Sequence, residues 1–185
     1  LRRLQVRAPY RGIDKLPAEP VVMILKNTFW RNDSMEKIEL KKLVTIYVTL
    51  GEPYTIGEVN GEIMEVTPVT GGRFEGDRLK GSVCNFGGDW GFLSDKKLNR
   101  LNNRFILETD DKEYIAVETN GYLCMSEKEL DEFYDTADYD NTDYYFRETV
   151  KFAAGSDRYR WLNDRITVSE GFLTEDGVRI EVFEF

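Results

Sequence analysis

The sequence contains no histidine. That absence excludes a Ser-His-Asp triad, a Cys-His pair and any His-ligated zinc or iron. Acid–base chemistry in this chain falls to carboxylates, tyrosine, lysine, cysteine or bound water. Cysteine is scarce: Cys84 and Cys124 stand 40 residues apart, outside any CxxC pattern. The expectation is two reduced, buried thiols in a cytoplasmic protein, with a single disulfide as the alternative. Long apolar runs are missing too. None approaches the roughly 20 residues that span a bilayer, so no membrane association is expected. The basic start, Leu1 to Gln5, is not followed by the apolar stretch and small-residue cleavage site of a signal peptide. Positive charge is in deficit, with 25 Lys and Arg against 34 Asp and Glu, a net charge of −9 and a pI of about 4.7. Nucleic-acid affinity rests on neutralising phosphates, so nucleic acid is not an expected partner.

What is present suits one packed domain. The 185 residues are 41% hydrophobic and 13% aromatic, and a chain of this length buries roughly 70% of its unfolded surface without needing a staple. Composition changes near residue 35. Residues 1–34 carry seven Lys or Arg and three Asp or Glu, and Pro9, Pro17, Pro20 and Gly12 interrupt them. They read as an N-terminal appendage, or as an extension ahead of a natural start at Met35. Val21 to Leu25 is their one candidate edge strand. Residues 35–185 read as the single domain.

From Leu40 the pattern is β. Val44, Ile46, Val48 and Leu50 alternate with Thr45, Tyr47 and Thr49. Val59 to Val69, Phe105 to Thr109, Tyr114 to Thr119, Tyr144 to Phe152, Arg165 to Leu173 and Val178 to Phe185 are further strand regions. Asp110-Asp111 and Asp176-Gly177 mark hairpins. One helix is predicted. Ser126 and Glu129 form a capping box, and Leu130, Phe133 and Tyr134 follow as an apolar stripe. A helical turn is expected around Asp157 to Leu162. This order predicts a mostly β fold, a small antiparallel barrel of about eight strands with one short helix.

Several constellations invite a chemical reading. The segment Gly71-Gly72-Arg73-Phe74-Glu75-Gly76 lacks the GK[ST] ending of a phosphate loop, and no helix follows it. Glycines in strands mark bulges and barrel corners, which re-aim neighbouring side chains. Glu75, Asp89 and Trp90 therefore become candidates for the lumen, with Asp89 and Glu75 as catalytic carboxylates. Residues 126–143 hold eight Asp or Glu and one Lys. A calcium loop starting at Asp138 would need Gly and Glu where Asp143 and Thr149 stand. With no metal pattern, neither a metal nor a cofactor is expected. In the run Tyr144-Tyr145-Phe146-Arg147, Tyr145 and Arg147 share one face and Phe146, Val150 and Phe152 the other. Parity does not say which face points inward, so Arg147 is either solvated or the anchor of a carboxylate ligand. Glu108 and Glu118 are further strand carboxylates whose role depends on convergence in a pocket.

Five short motifs occur in order: Thr70-Gly71-Gly72-Arg73-Phe74-Glu75-Gly76, Gly88-Asp89-Trp90, Leu107-Glu108-Thr109-Asp110-Asp111, Tyr144-Tyr145-Phe146-Arg147 and Tyr159-Arg160-Trp161-Leu162-Asn163. Together they resemble the proteins grouped as domain of unknown function 3237. The resemblance runs from about Leu40 to the C-terminus. It implies a lipocalin-like or allene-oxide-cyclase-like barrel and no established reaction. It also implies recurrent polar and aromatic positions at Glu75, Asp89, Trp90, Glu108, Tyr145, Arg147, Trp161 and Asn163.

The leading expectation is a barrel that binds a small, anionic or carbonyl-bearing organic molecule, with Trp90, Glu108, Tyr145, Arg147, Trp161 and Asn163 as ligand-binding residues. One alternative is a lyase, isomerase or cyclase that uses carboxylate or tyrosine acid–base groups. The other is a structural or oligomer-forming module with a filled barrel. A homo-oligomer stays open.

Overall fold

The computed structural model describes residues 38–94 and 97–185. The appendage expected at 1–34, its candidate strand at Val21 to Leu25 and the start at Met35 lie outside the described residues. Among the described residues, nine strands, one α-helix and a short 3-10 helix follow one another: β1 (Lys41–Leu50), β2 (Tyr54–Val59), β3 (Glu62–Glu75), β4 (Lys80–Ser94), β5 (Leu98–Thr109), β6 (Tyr114–Cys124), α1 (Glu127–Thr136), β7 (Tyr145–Ala154), the 3-10 helix (Arg160–Asp164), β8 (Thr167–Thr174) and β9 (Gly177–Glu184).

All strand pairings are antiparallel. The order β1-β9-β8-β7-β6-β5-β4-β3 closes through a β1–β3 pairing into an eight-stranded barrel. Closure gives each of those eight strands a neighbour on both sides, so none is an edge strand. β2 stands outside the ring, paired to the first half of β3, while the second half of β3 pairs with β1. Gly72 permits the close approach of β1 to this second half. It sits at φ +133°, and a Cβ there would meet the Tyr47 carbonyl oxygen at 2.0 Å.

One strand region differs from the sequence expectation. Val59 to Val69 is not one strand. Asn60 (φ 56°) and Gly61 (φ 89°) form the turn that separates β2 from β3, an Asn-Gly pair suited to a hairpin that needs two left-handed residues. The glycine-rich segment Gly87 to Gly91 is interior to β4. Both cysteines are free, but Cys84 is half-buried and Cys124 exposed, so the expected burial of both thiols does not hold.

Alternation places the core. Val44, Ile46 and Val48 of β1, Phe105 and Leu107 of β5, Ile115 and Val117 of β6, and Phe146, Val150 and Phe152 of β7 are all buried. The two ends of the barrel are closed differently. At the floor, Leu162 and Tyr159 pack into the main apolar cluster with Ile115, Phe152 and Ala154. The Asn163 side chain clamps this closure, donating to the Ala154 carbonyl (3.0 Å) and accepting from the Ala154 N–H (2.8 Å). At the mouth, α1 lies beside a second cluster of Leu123, Met125, Phe133, Phe146 and Leu173. Its capping box forms as expected: the Ser126 hydroxyl accepts from the Glu129 N–H, and the Glu129 carboxylate accepts from the Ser126 N–H. Such a cap contributes about 1 kcal/mol. Phe133, the buried residue of the helix, adds about 2–3 kcal/mol by burial and meets Tyr134, Tyr139 and Tyr144 edge-on.

Candidate functional site

The mouth half of the barrel is not filled by side chains. A cavity of about 970 Å³ opens there, walled by Val48, Val69, Phe105, Leu123, Phe146 and Ile180 and bordered by Leu130 and Tyr134 of α1. Its polar wall comes from Asp89, Asn99 and Asn103, and Glu52, Glu65, Glu175 and Asp176 add negative charge around it. Among the described residues, no lysine or arginine lines it.

Asp89 is set by a local opening between β4 and β5. The strands pair Asp89 with Asn103, and pairing resumes at Phe92 with Arg100. In the gap the Asn102 N–H donates to Asp89 Oδ1 at 2.8 Å. Gly91 makes room for the other oxygen, since a Cβ at 91 would come within 2.9 Å of Asp89 Oδ2. Burial pushes the Asp89 carboxyl up to about 6, against the bond from Asn102, which favours the ionised form.

A second carboxylate lies directly behind this wall. Glu148 of β7 is 4% exposed and points inward with Phe146 and Val150. Its Oε1 accepts from the Thr119 hydroxyl (2.5 Å) and the Asn103 amide (2.9 Å), and Oε2 accepts from Ser169 (3.4 Å). Burial raises its carboxyl to about 7. The hydroxyl and amide bonds oppose the rise, and the negative charge of Asp89 adds to it. Among the described residues, no basic group pairs with Glu148. Two carboxyls in one low-dielectric region, both titrating near neutrality, form the standard raw material of acid–base chemistry.

The residues expected from the sequence divide sharply. Asp89 is in the cavity wall. Glu75 is exposed on the outside of β3, paired to Arg73 (3.1 Å) and reached by the Tyr47 hydroxyl (3.4 Å). Trp90 points outward, next in the chain to inward Asp89, and borders a shallow external groove with Phe92, Arg100, Arg104 and Tyr122. Tyr145 is 51% exposed. Arg147 alternates with inward Phe146 and Glu148, so parity turns it outward, where it pairs with Glu170 at 2.6 Å. Glu108 is held on the outer surface by Lys112 and Tyr114. Trp161 and Asn163 belong to the floor. Trp161 lies under the Arg78 guanidinium, 3.3 Å from the ring centroid, and Asn163 clamps Ala154. The expected convergence of Trp90, Tyr145, Arg147 and Trp161 in the lumen is therefore corrected. Strand alternation places the first three on the outer face, and Trp161 sits at the opposite end from the cavity.

Glu148, Asn103, Thr119 and Ser169 were missed by the sequence reading. A signal for Glu148 was present: it falls on the same parity as Phe146, Val150 and Phe152, a lone carboxylate on an apolar strand face. Among the described residues no cluster of three or more Cys, Asp or Glu has metal-binding geometry, and no helix is long and apolar enough to cross a membrane.

Fold and site together define a closed eight-stranded antiparallel barrel with a half-empty lumen and a carboxylate in its wall. Residues 38–185 match the family described as protein of unknown function (DUF3237), and the chain belongs to that family. Among curated relatives, a UPF0311 protein of Rhodopseudomonas palustris (strain TIE-1) is 26% identical over 147 residues, covering 80% of this chain and 96% of the relative. Among solved structures, a β-barrel-like protein from Acinetobacter baumannii is 32% identical, with a TM-score of 0.69 over 79% of this chain and 94% of that one. The fold is also similar to that of an enzyme from Penicillium herquei, at 19% identity and a TM-score of 0.59, over 79% of this chain and 92% of that chain.

Proposed function

We propose that the barrel binds a small organic molecule with a largely apolar body, neutral or positively charged, and that Asp89 meets its polar end. One observation carries this reading: a carboxylate stands in the wall of a mostly apolar cavity that no described lysine or arginine lines. The surrounding Glu52, Glu65, Glu175 and Asp176 set a negative potential at the opening, which repels anions and attracts cations. With Arg147 outside, an anionic ligand meets no guanidinium of the described residues in the lumen. The open mouth half supports a binding barrel over a filled structural one.

The test uses two dyes. Neutral Nile red should bind saturably with a rise in fluorescence, and anionic anilinonaphthalene sulfonate should bind at least tenfold more weakly at low salt. Leu101→Trp, which places bulk in the cavity wall, should abolish Nile red binding without unfolding the protein. Equal binding of both dyes, or indifference to Leu101→Trp, would overturn the proposal.

A proton-transferring enzyme of the lyase, isomerase or cyclase kind is the second reading. The titration of Asp89 near 6 favours it, because a general base works best when its pKa lies near the working pH. Loss of turnover in Asp89→Asn with Nile red binding retained would support this reading, and turnover unchanged in that variant would exclude Asp89 as the base.

A further inference from the structure

Asp89 and Asn103 are directly opposite one another on β4 and β5, and both line the cavity. Opposite residues on one face place their Cβ atoms about 4.5–5.5 Å apart. What each presents is fixed by what its other atoms already do. Asp89 spends Oδ1 on the Asn102 N–H, and glycine at 91 keeps Oδ2 approachable. Asn103 spends its Nδ2 hydrogens on Thr119 Oγ1 (2.8 Å) and Glu148 Oε1 (2.9 Å). Its carbonyl oxygen is the polar atom not so engaged.

The orientation of that amide is over-determined. Thr119 has one hydroxyl hydrogen and gives it to Glu148, so towards Asn103 it can only accept. An inverted Asn103 amide would set its oxygen against the Thr119 lone pairs and Glu148 Oε1, which already accepts from Thr119 whether the carboxyl is ionised or carries its proton on Oε2, three acceptors together in a buried place. Asn99, also in the wall, directs its amide nitrogen to the Met125 carbonyl (3.4 Å), and the Thr70 hydroxyl donates to Thr49 (3.2 Å). At the facing pair Asp89 and Asn103, the wall thus turns acceptors to the cavity.

We infer that Asp89 and Asn103 form a two-acceptor recognition element, with Glu148 as the positioning residue that fixes the Asn103 amide, and that the cavity selects ligands bearing two adjacent O–H or N–H donors on an apolar body. This deepens the binding reading above and rests on it. A ligand offering an acceptor to either group meets unpaired oxygen, and a buried acceptor left without a donor discriminates strongly against the wrong ligand.

The probes are 4-methylcatechol, its monomethyl ether and its dimethyl ether, titrated by calorimetry against the intact protein, with Nile red as a control for the cavity. Each methylation removes one donor and should weaken binding at least tenfold. Asn103→Leu should bring the diol and the monomethyl ether to within about threefold of one another. Glu148→Leu frees the amide to turn and should flatten the ratios across the series while Nile red still binds. Glu148→Gln, which can keep an acceptor towards Thr119 and Asn103, should restore them. A merely structural role for Glu148 would move all affinities together and leave their ratios intact. Equal affinity for the three probes in a protein that binds Nile red would overturn the inference alone. Failure to bind Nile red would instead sink the binding reading beneath it.

Discussion

Replacing Glu148 with glutamine should make the protein more stable, and only above the acidic range. The folded protein keeps a proton on Glu148 up to about pH 7, while the ordinary value for a glutamate is 4.5. Between these values the folded state binds more protons than the unfolded chain, so this group's contribution to stability falls as pH rises. The penalty is absent below about pH 4.5 and complete above about pH 7. At about 1.36 kcal/mol per pH unit, the displacement corresponds to about 3 kcal/mol. Glutamine removes the ionisation, offers an oxygen to Thr119 and Asn103, and has an N–H for Ser169 in place of a carboxylate oxygen. Asp89 titrates in both proteins and largely cancels in their difference. Urea denaturation of wild type and Glu148→Gln at pH 4.5, 6, 7 and 8 reads the effect directly, provided the m-values agree. The two stabilities should be close at pH 4.5 and separate by about 3 kcal/mol, in favour of the variant, by pH 8. A gap that does not change with pH would refute the reasoning, because a packing or hydrogen-bond effect has no reason to follow the titration of this carboxyl.

Three further outcomes are expected. Arg147→Ala should change stability by less than about 1 kcal/mol, as for other surface ion pairs, and leave Nile red binding unaltered; lost binding would return this guanidinium to the ligand site. Asn163→Ala should cost about 1–2 kcal/mol in chemical denaturation through its two bonds to Ala154, with no effect on the affinity of the cavity at the other end. Gly171→Ala should cost about 1–3 kcal/mol by overpacking, since a Cβ there would stand 2.5 Å from the Phe146 ring; a thermal melt unchanged from wild type would show that the ring yields freely.

The barrel was legible in the sequence where side chains alternate and turns are marked. β1, β7 and β9 declare themselves through apolar residues at every second position, and the Ser126 capping box announces α1. β4 was harder. Glycines at 81, 87, 88 and 91 leave gaps where alternation would be read, so the strand resembles a loop. The Asn60-Gly61 turn was hidden between two β-patterned runs. The site was legible only in part. Asp89 could be reached through its glycine neighbours. Arg147 was misleading because parity groups residues without giving a direction, and a guanidinium beside tyrosines suits an exposed strand as well as a pocket. Asn103 and Glu148 lie 45 residues apart in the chain. Their meeting depends on the register of three successive strands, and a register one residue out would turn every one of these side chains to the other face.

The different closures of floor and mouth separate two kinds of evolutionary freedom. At the floor, Leu162, Tyr159 and Ile115 are buried in one apolar cluster, and in a close-packed interior a changed methyl group is felt by its neighbours. At the mouth, Leu101, Leu130 and Tyr134 border the cavity, where changes of size meet no packed neighbour among the described residues on one side. A lineage carrying this barrel can exchange what the mouth accepts while the floor holds the fold, and the same division tells a protein engineer where a new specificity can be written without first securing extra stability.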